Sequence, residues 1–503
     1  MAQVGSESSC MLLQFISPHM SLLSCIAYFA CLPQLGSAAA VFPQDFLFGV
    51  ATAPAQSEDA LKDQWLDFGL AGKVHAWSNV PHPEDRLAFW TRPEVEIELA
   101  VKLNVKVFRL GIDWTRLYPE PGQFNATAMS RYVEIVQKVR DAGLKVMMTL
   151  FHHSIPAWAN EFGGWTSDTI LSHFSNFSEK AIEHLGDMVD FWTTFNEPHV
   201  FVGFTYCSGM WPPGFNESIP KELRCMMPTG DFNKAMGLMA QAHNAFAKKC
   251  RATGVRGLIG FAHNVAHYVP NHLWDLPAVK LLEQQTKFAF VDAVQDNMDF
   301  VGLNYYGREI ISGTAPMISP DFEYSESGRC VDPNGLYLLL RQFWERYSSK
   351  AKGIFITENG ISDATDIIRP SYILEHLAAV AQAIKDGVRV MGYVHWTTSD
   401  NWEWVDGYCP KFGLAAVNRS APGMPRIPRP SFHVYGDVAL RYEVTEEQRK
   451  ESWHLKTMAV AQNRTRPFCR AADGKNSLDK PVQRPISSKD WRFKIDEDAA
   501  VLV

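Results

Sequence analysis

Val189-Asp190-Phe191-Trp192-Thr193-Thr194-Phe195 runs into Asn196-Glu197-Pro198, and Gly353-Ile354-Phe355-Ile356-Thr357 runs into Glu358-Asn359-Gly360. Each is a short β-branched and aromatic stretch that closes on a carboxylate, the pattern of a buried strand with a polar residue at its exit. Six further stretches of this kind can be placed. The eight expected strands are Phe46–Val50, Val105–Leu110, Lys145–Phe151, Val189–Phe195, Leu258–His263, Met298–Asn304, Gly353–Thr357 and Val390–Trp396. Between them lie stretches with helical spacing. One carries Tyr132, Ile135, Val136 and Val139, and another carries Leu336, Leu339, Leu340, Phe343 and Tyr347. Strand and helix alternating eight times predict an α/β fold, a (β/α)8 TIM barrel with a single catalytic domain.

In such a barrel the functional face lies at the carboxyl ends of the strands. The polar residues there are Gln56, Arg109, His152, Asn196, Glu197, Asn304, Tyr306 and Glu358, with Trp396 at the eighth strand. Strands four and seven face each other across an eight-stranded barrel, so Glu197 and Glu358 can meet over the mouth. Cleavage of an acetal needs one carboxyl group to protonate the leaving oxygen and a second to meet the cationic carbon. A separation of about 5–5.5 Å implies a covalent intermediate and retention. Glu197, followed by proline and set among apolar residues, is expected to be the proton donor. Glu358 is expected to be held ionised by Arg109 and by a hydrogen bond from Tyr306.

Composition agrees with a carbohydrate substrate. The formal charge is −7 and there is no basic tract, so nucleic acid is not an expected partner. Fifteen Trp and 31 Phe exceed what a core alone needs and suit the flat C–H faces of a sugar. The nine Cys lack metal-site spacing and are read mostly as buried thiols, with a Cys207–Cys225 disulfide as an alternative. No metal and no cofactor is expected.

Residues 1–40 hold an apolar run, Met20–Leu32, too short for a spanning helix; it is read as a targeting segment or weak membrane anchor. Residues 41–465 make the barrel, and residues 466–503 are read as a C-terminal tail packed on its outside or disordered. Sequons at Asn125, Asn176, Asn216, Asn418 and Asn463 would suit a secretory route.

The motifs Asn196-Glu197-Pro198 and Ile356-Thr357-Glu358-Asn359-Gly360 resemble the acid/base and nucleophile motifs of glycoside hydrolase family 1. So do Phe48-Gly49-Val50-Ala51-Thr52 with Gln56, Asn304-Tyr305-Tyr306, and Trp396 through Asn401-Trp402-Glu403-Trp404 to Phe412-Gly413-Leu414. The resemblance runs from about Phe42 to Tyr442. It implies that Gln56, His152, Asn196, Glu403 and Trp404 bind sugar hydroxyls, that Trp396 is the stacking platform and that Phe412 lines the pocket. Departures from the hydrolase pattern, such as His152-His153 and Ala55 before Gln56, resemble a plant branch of the family that transfers galactose between galactolipids at the chloroplast outer envelope. That branch implies a galactolipid acceptor in place of water, contact with a membrane surface, and an acceptor region near His153, Ala55 and Asp59. The other readings are a β-glucosidase or β-galactosidase acting on soluble glycosides and, in a different class, an inactive sugar-binding protein.

Overall fold

The computed structural model describes residues 40–214, 225, 229–313, 315–474 and 476–494. The expected targeting segment and the Asn216 sequon lie outside the described residues.

Eight parallel strands form one sheet: β1 (Leu47–Ala51), β2 (Val107–Gly111), β3 (Lys145–Phe151), β4 (Phe191–Asn196), β5 (Leu258–Pro270), β6 (Val301–Ser312), β7 (Ile354–Asn359) and β8 (Val390–His395). They hydrogen-bond in the order β5-β4-β3-β2-β1-β8-β7-β6, and β5 pairs with β6, which closes the barrel. All eight expected strands are present. Six of them end within two residues of the expected limits. β5 and β6 instead run on together past the mouth, with His267 opposite Arg308 and Pro270 opposite Ile311. A short strand, Ala315–Met317, then folds back on β6.

The barrel interior follows the two-residue period of a strand. Its apolar part holds Val107, Met147, Phe191, Phe300, Phe355 and Val394, all buried. Two residues further along, Arg109, Thr149 and Thr357 turn the interior polar and are also buried. The layer outside the strands is the apolar face of the helices. In the helix Ala126–Asp141, Tyr132, Ile135, Val136 and Val139 are buried, and Asn125 caps its start by accepting from Ala128 N at 3.0 Å. In Pro333–Tyr347, Leu336, Leu339, Leu340, Phe343 and Tyr347 are buried.

The cysteine expectation needs correcting. Four of the six cysteines among the described residues are paired, Cys207 with Cys225 and Cys409 with Cys469, and only Cys250 and Cys330 are buried thiols. The sequence separation of 60 between Cys409 and Cys469 hides this second pairing from any local reading. Cys469 belongs to an antiparallel pair, Thr465–Arg470 with Ser477–Pro485. That pair is fixed to the mouth of the barrel by Arg466, which donates to Glu323 at 2.7 Å, and by Arg470, which pairs with Asp406 at 2.9 Å.

Candidate active site

Strict alternation from Phe191 and Phe355 would turn Asn196 and Glu358 away from the interior. On β4, Phe195 leaves the interior and packs on Trp165 and Phe174 of the outer layer. A register shift against β5 between Thr193 and Asn196 returns Asn196 to the inside. Pro198 disfavours the right-handed helical region for the residue before it, and Glu197 adopts φ +46°, with its amide donating to Ala262 O at 2.7 Å. On β7, Thr357 already points inward, its hydroxyl donating to Asn304 at 2.7 Å. A second shift, between Leu303 and Asn304 of β6, brings Glu358 level with Asn304 and aims it inward too. These bulges re-aim side chains where a regular strand could not.

The two carboxylates join one hydrogen-bonded network. Glu358 Oε1 pairs with the Arg109 guanidinium, and Glu358 Oε2 accepts from Tyr306 Oη at 2.6 Å. Arg109 also donates to Asn196 Oδ1 at 2.7 Å, to Thr357 O at 3.1 Å and to Thr149 Oγ1 at 3.2 Å, so with Glu358 it makes four hydrogen bonds from its five N–H donors. Glu197 Oε1 accepts from Asn304 Nδ2 at 2.9 Å and Asn264 Nδ2 at 3.0 Å, and its other oxygen lies 3.7 Å from His153 Nε2. Asn304 Nδ2 also reaches Asn196 Oδ1 at 3.0 Å, so a single amide ties both ends of the site together.

Proton affinities depart from the sequence expectation. In Glu358, burial and the charge of Glu197 outweigh Arg109 and Tyr306 and raise the carboxyl to about 7. In Glu197, burial is outweighed by the hydrogen bond and charge of His153, with Asn304 and Asn264 adding to them, and the carboxyl falls to about 2. While His153 is charged, the higher proton affinity therefore lies with Glu358, the reverse of the order expected from sequence. Burial, however, holds His153 itself below its ordinary value, and its Nε2 faces the Asn196 amide at 3.1 Å. At neutral pH the imidazole is uncharged and its restraint on Glu197 is released.

Above the network lies a cavity of about 430 Å³. Glu197, Tyr306, Glu358, Trp396, Glu403, Trp404 and Phe412 line it. Gln56, Arg109, His152, Asn196 and Asn304 are not on its wall. They are buried around it: Gln56 Nε2 donates to Trp402 O at 2.8 Å, and the His152 ring lies 5.8 Å from both Trp396 and Trp404. Gln56 Oε1, Glu403 Oε2 and His152 Nδ1 are buried with no hydrogen-bond partner in the protein. Such atoms are costly unless a ligand satisfies them. Burial, aided by the charges of Asp406, Glu358 and Glu197, pushes the Glu403 carboxyl well up.

The sequence profile described as Glycosyl hydrolase family 1 matches residues 38–295 and 278–444. The chain belongs to this family. It is 45% identical over 434 residues to a rice protein (Oryza sativa subsp. japonica) named Beta-glucosidase-like SFR2, chloroplastic, covering 84% of this chain and 67% of that one. It is 39% identical to Galactolipid galactosyltransferase SFR2, chloroplastic, of Arabidopsis thaliana, covering 89% and 82%. Among solved structures, a beta-glycosidase from Pyrococcus horikoshii superimposes with a TM-score of 0.72 at 28% identity, covering 82% of this chain and 98% of that one.

Within this family 1 barrel, three residues expected near an acceptor are elsewhere. Ala55 is enclosed, its carbonyl accepting from Trp402 Nε1 at 2.9 Å. Asp59 turns outward to Thr91, accepting from its amide and hydroxyl at 3.1 and 2.8 Å. His153 is held under the site by Asn196. The outer cavity wall is built instead from Phe204, Met210, Pro316, Met317 and Ile318, faced by Arg308, Glu309, Arg329 and Arg470. Sequence reasoning missed Asn264 as well. It directly follows the expected end of strand five, and the rule that selected the other strand-end polar residues would have found it.

Proposed function

We propose that this chain moves galactose from one galactolipid to another by double displacement at Glu197 and Glu358. The observation that carries the reading is the pairing of a two-carboxylate network with an apolar outer wall, Phe204, Met210 and Pro316 to Ile318, in one cavity. A sugar fills the polar end, and a glycerolipid aglycone suits the apolar one. The name of the Arabidopsis relative supports the same substrate class.

In the first step a Glu358 oxygen bonds to the anomeric carbon as the bond to the lipid oxygen breaks, and Glu197 gives that oxygen its proton. Esterification removes the charge of Glu358, which lowers the affinity of Glu197 for a proton and suits it to act next as base. In the second step the acceptor hydroxyl loses its proton to Glu197, attacks the anomeric carbon and displaces Glu358. Arg109 and Tyr306 orient Glu358, and Asn304 holds Glu197. Gln56, His152 and Glu403 take sugar hydroxyls through their unpaired polar atoms, Trp404 takes one through its indole N–H, Asn196 takes the 2-hydroxyl, and Trp396 and Phe412 flank the ring.

Purified protein given a monogalactosyl lipid should yield oligogalactolipid. Free galactose as the sole product would make the chain a hydrolase, as the names of its glycosidase relatives suggest for those proteins. Contact with a membrane and a place at the chloroplast outer envelope belong to this reading, supported by the word chloroplastic in the names of both plant relatives. The two disulfides favour the secretory route instead, because such bonds persist in oxidising compartments. Localising a fluorescent fusion separates the two.

A further inference from the structure

Leu273 and Trp274 are the two most exposed large apolar side chains among the described residues, at 81% and 75%. They are adjacent, and Leu276 and Leu281 beside them are 39% and 57% exposed. We infer that this tip, Asn271–Leu282, docks the protein onto the interface of an uncharged lipid bilayer. The inference rests on the galactolipid reading above, to which it adds a surface.

The position of the tip supports a membrane over a protein partner. It is the direct continuation of β5 beyond the barrel mouth. Pro270 pairs with Ile311, Asn271 N donates to Ile311 O at 2.8 Å, and Ile311 pairs in turn with Pro316. Pro316 and Met317 line the cavity. The exposed Leu273 and Trp274 therefore sit on the same ribbon as Pro316 and Met317 of the apolar wall, on the mouth side of the barrel.

The tip is also held rigidly. Asp275 accepts from His272 N at 3.0 Å and from Gly313 N at 2.8 Å, tying the tip to the turn after β6. The Trp274 ring rests against His272 at 4.4 Å. Side chains presented in this way lose little further freedom on insertion.

Its charge fits a neutral surface. Asp275, the one carboxylate between Asn271 and Leu276, is buried, so that stretch offers solvent Leu273 and Trp274 with no exposed carboxylate beside them. Recognition of anionic lipid uses clusters of Lys and Arg, and Lys280 is the one exposed cation from Asn271 to Leu282. Trp and Leu without such a cluster favour insertion into the head-group layer.

The test is hydrogen exchange of the full chain with vesicles of equal parts phosphatidylcholine and monogalactosyl diacylglycerol. Amides of residues 271–282 should exchange more slowly when vesicles are added, at high and low salt alike. Amides of the helix Glu446–Ala461, which carries the exposed Leu455 and Met458, should not change. Leu273→Ser combined with Trp274→Ser should lower turnover of vesicle-borne galactolipid about tenfold, leaving an aryl galactoside in solution turned over as before. Unchanged exchange at 271–282 with vesicles bound, protection that vanishes at high salt, or protection that grows with protein concentration without lipid would each overturn the inference. Protection without galactosyl transfer would remove the proposed reaction and leave the docking surface standing.

Discussion

Glu358 is buried against a cation and Glu197 against amides, and this difference sets the expectations for single residues. Glu358→Gln should reduce turnover of every substrate by 10²–10⁴-fold or more, roughly the contribution of one catalytic group. Glu197→Gln should cripple natural glycosides yet spare aryl glycosides whose leaving group needs little protonation, which steady-state assays on the two substrates will separate. Asn264 donates to Glu197 and so favours its ionised form. Asn264→Ala should therefore raise the proton affinity of Glu197 and move the alkaline limb of the kcat/KM profile to higher pH, while a purely structural role would leave the profile in place. The two glutamates were legible because each closes an apolar run. Asn264 was equally legible, since it follows the expected end of strand five just as His152 follows that of strand three, but it was passed over. The proton order was hidden, since it depends on His153, whose own environment is tertiary.

At the scale of elements, close approach explains the glycine in Thr357-Glu358-Asn359-Gly360. A Cβ at Gly360 would lie 1.9 Å from the carbonyl oxygen of Trp396, so a side chain there would push β7 from the end of β8. Gly360→Ala should cost roughly 1–3 kcal/mol, as overpacking in a core does, and should also lower activity by shifting Trp396. Denaturant midpoints and kcat/KM will show both. The strands themselves were readable from β-branched and aromatic runs. The outward extension of β5 and β6 was not, because Val265–Pro270 stays extended only through its pairing with Tyr305–Ile311, and neither segment announces the other.

Across the whole molecule, several histidines are enclosed without charge. His395 is fully buried with both ring nitrogens unpaired, and burial lowers it from 6.5 to about 3. A depressed folded-state value means that its contribution is present above pH 6.5 and is lost as pH falls toward 3. His395→Leu should therefore narrow the loss of stability between pH 7 and pH 5 by about 2 kcal/mol, that is 1.4 kcal/mol for each pH unit below 6.5, measurable as unfolding free energies at the two pH values. The sequence by itself determined the barrel class, its eight strands and the pair of glutamates, because strand periodicity and strand-end chemistry are written within a few neighbouring residues. The tertiary structure alone decided which way Asn196 and Glu358 point, which residues form the apolar wall, and that Cys469 joins Cys409 at the mouth. Those outcomes depend on register shifts between neighbouring strands and on partners far apart in the chain, which no local pattern records.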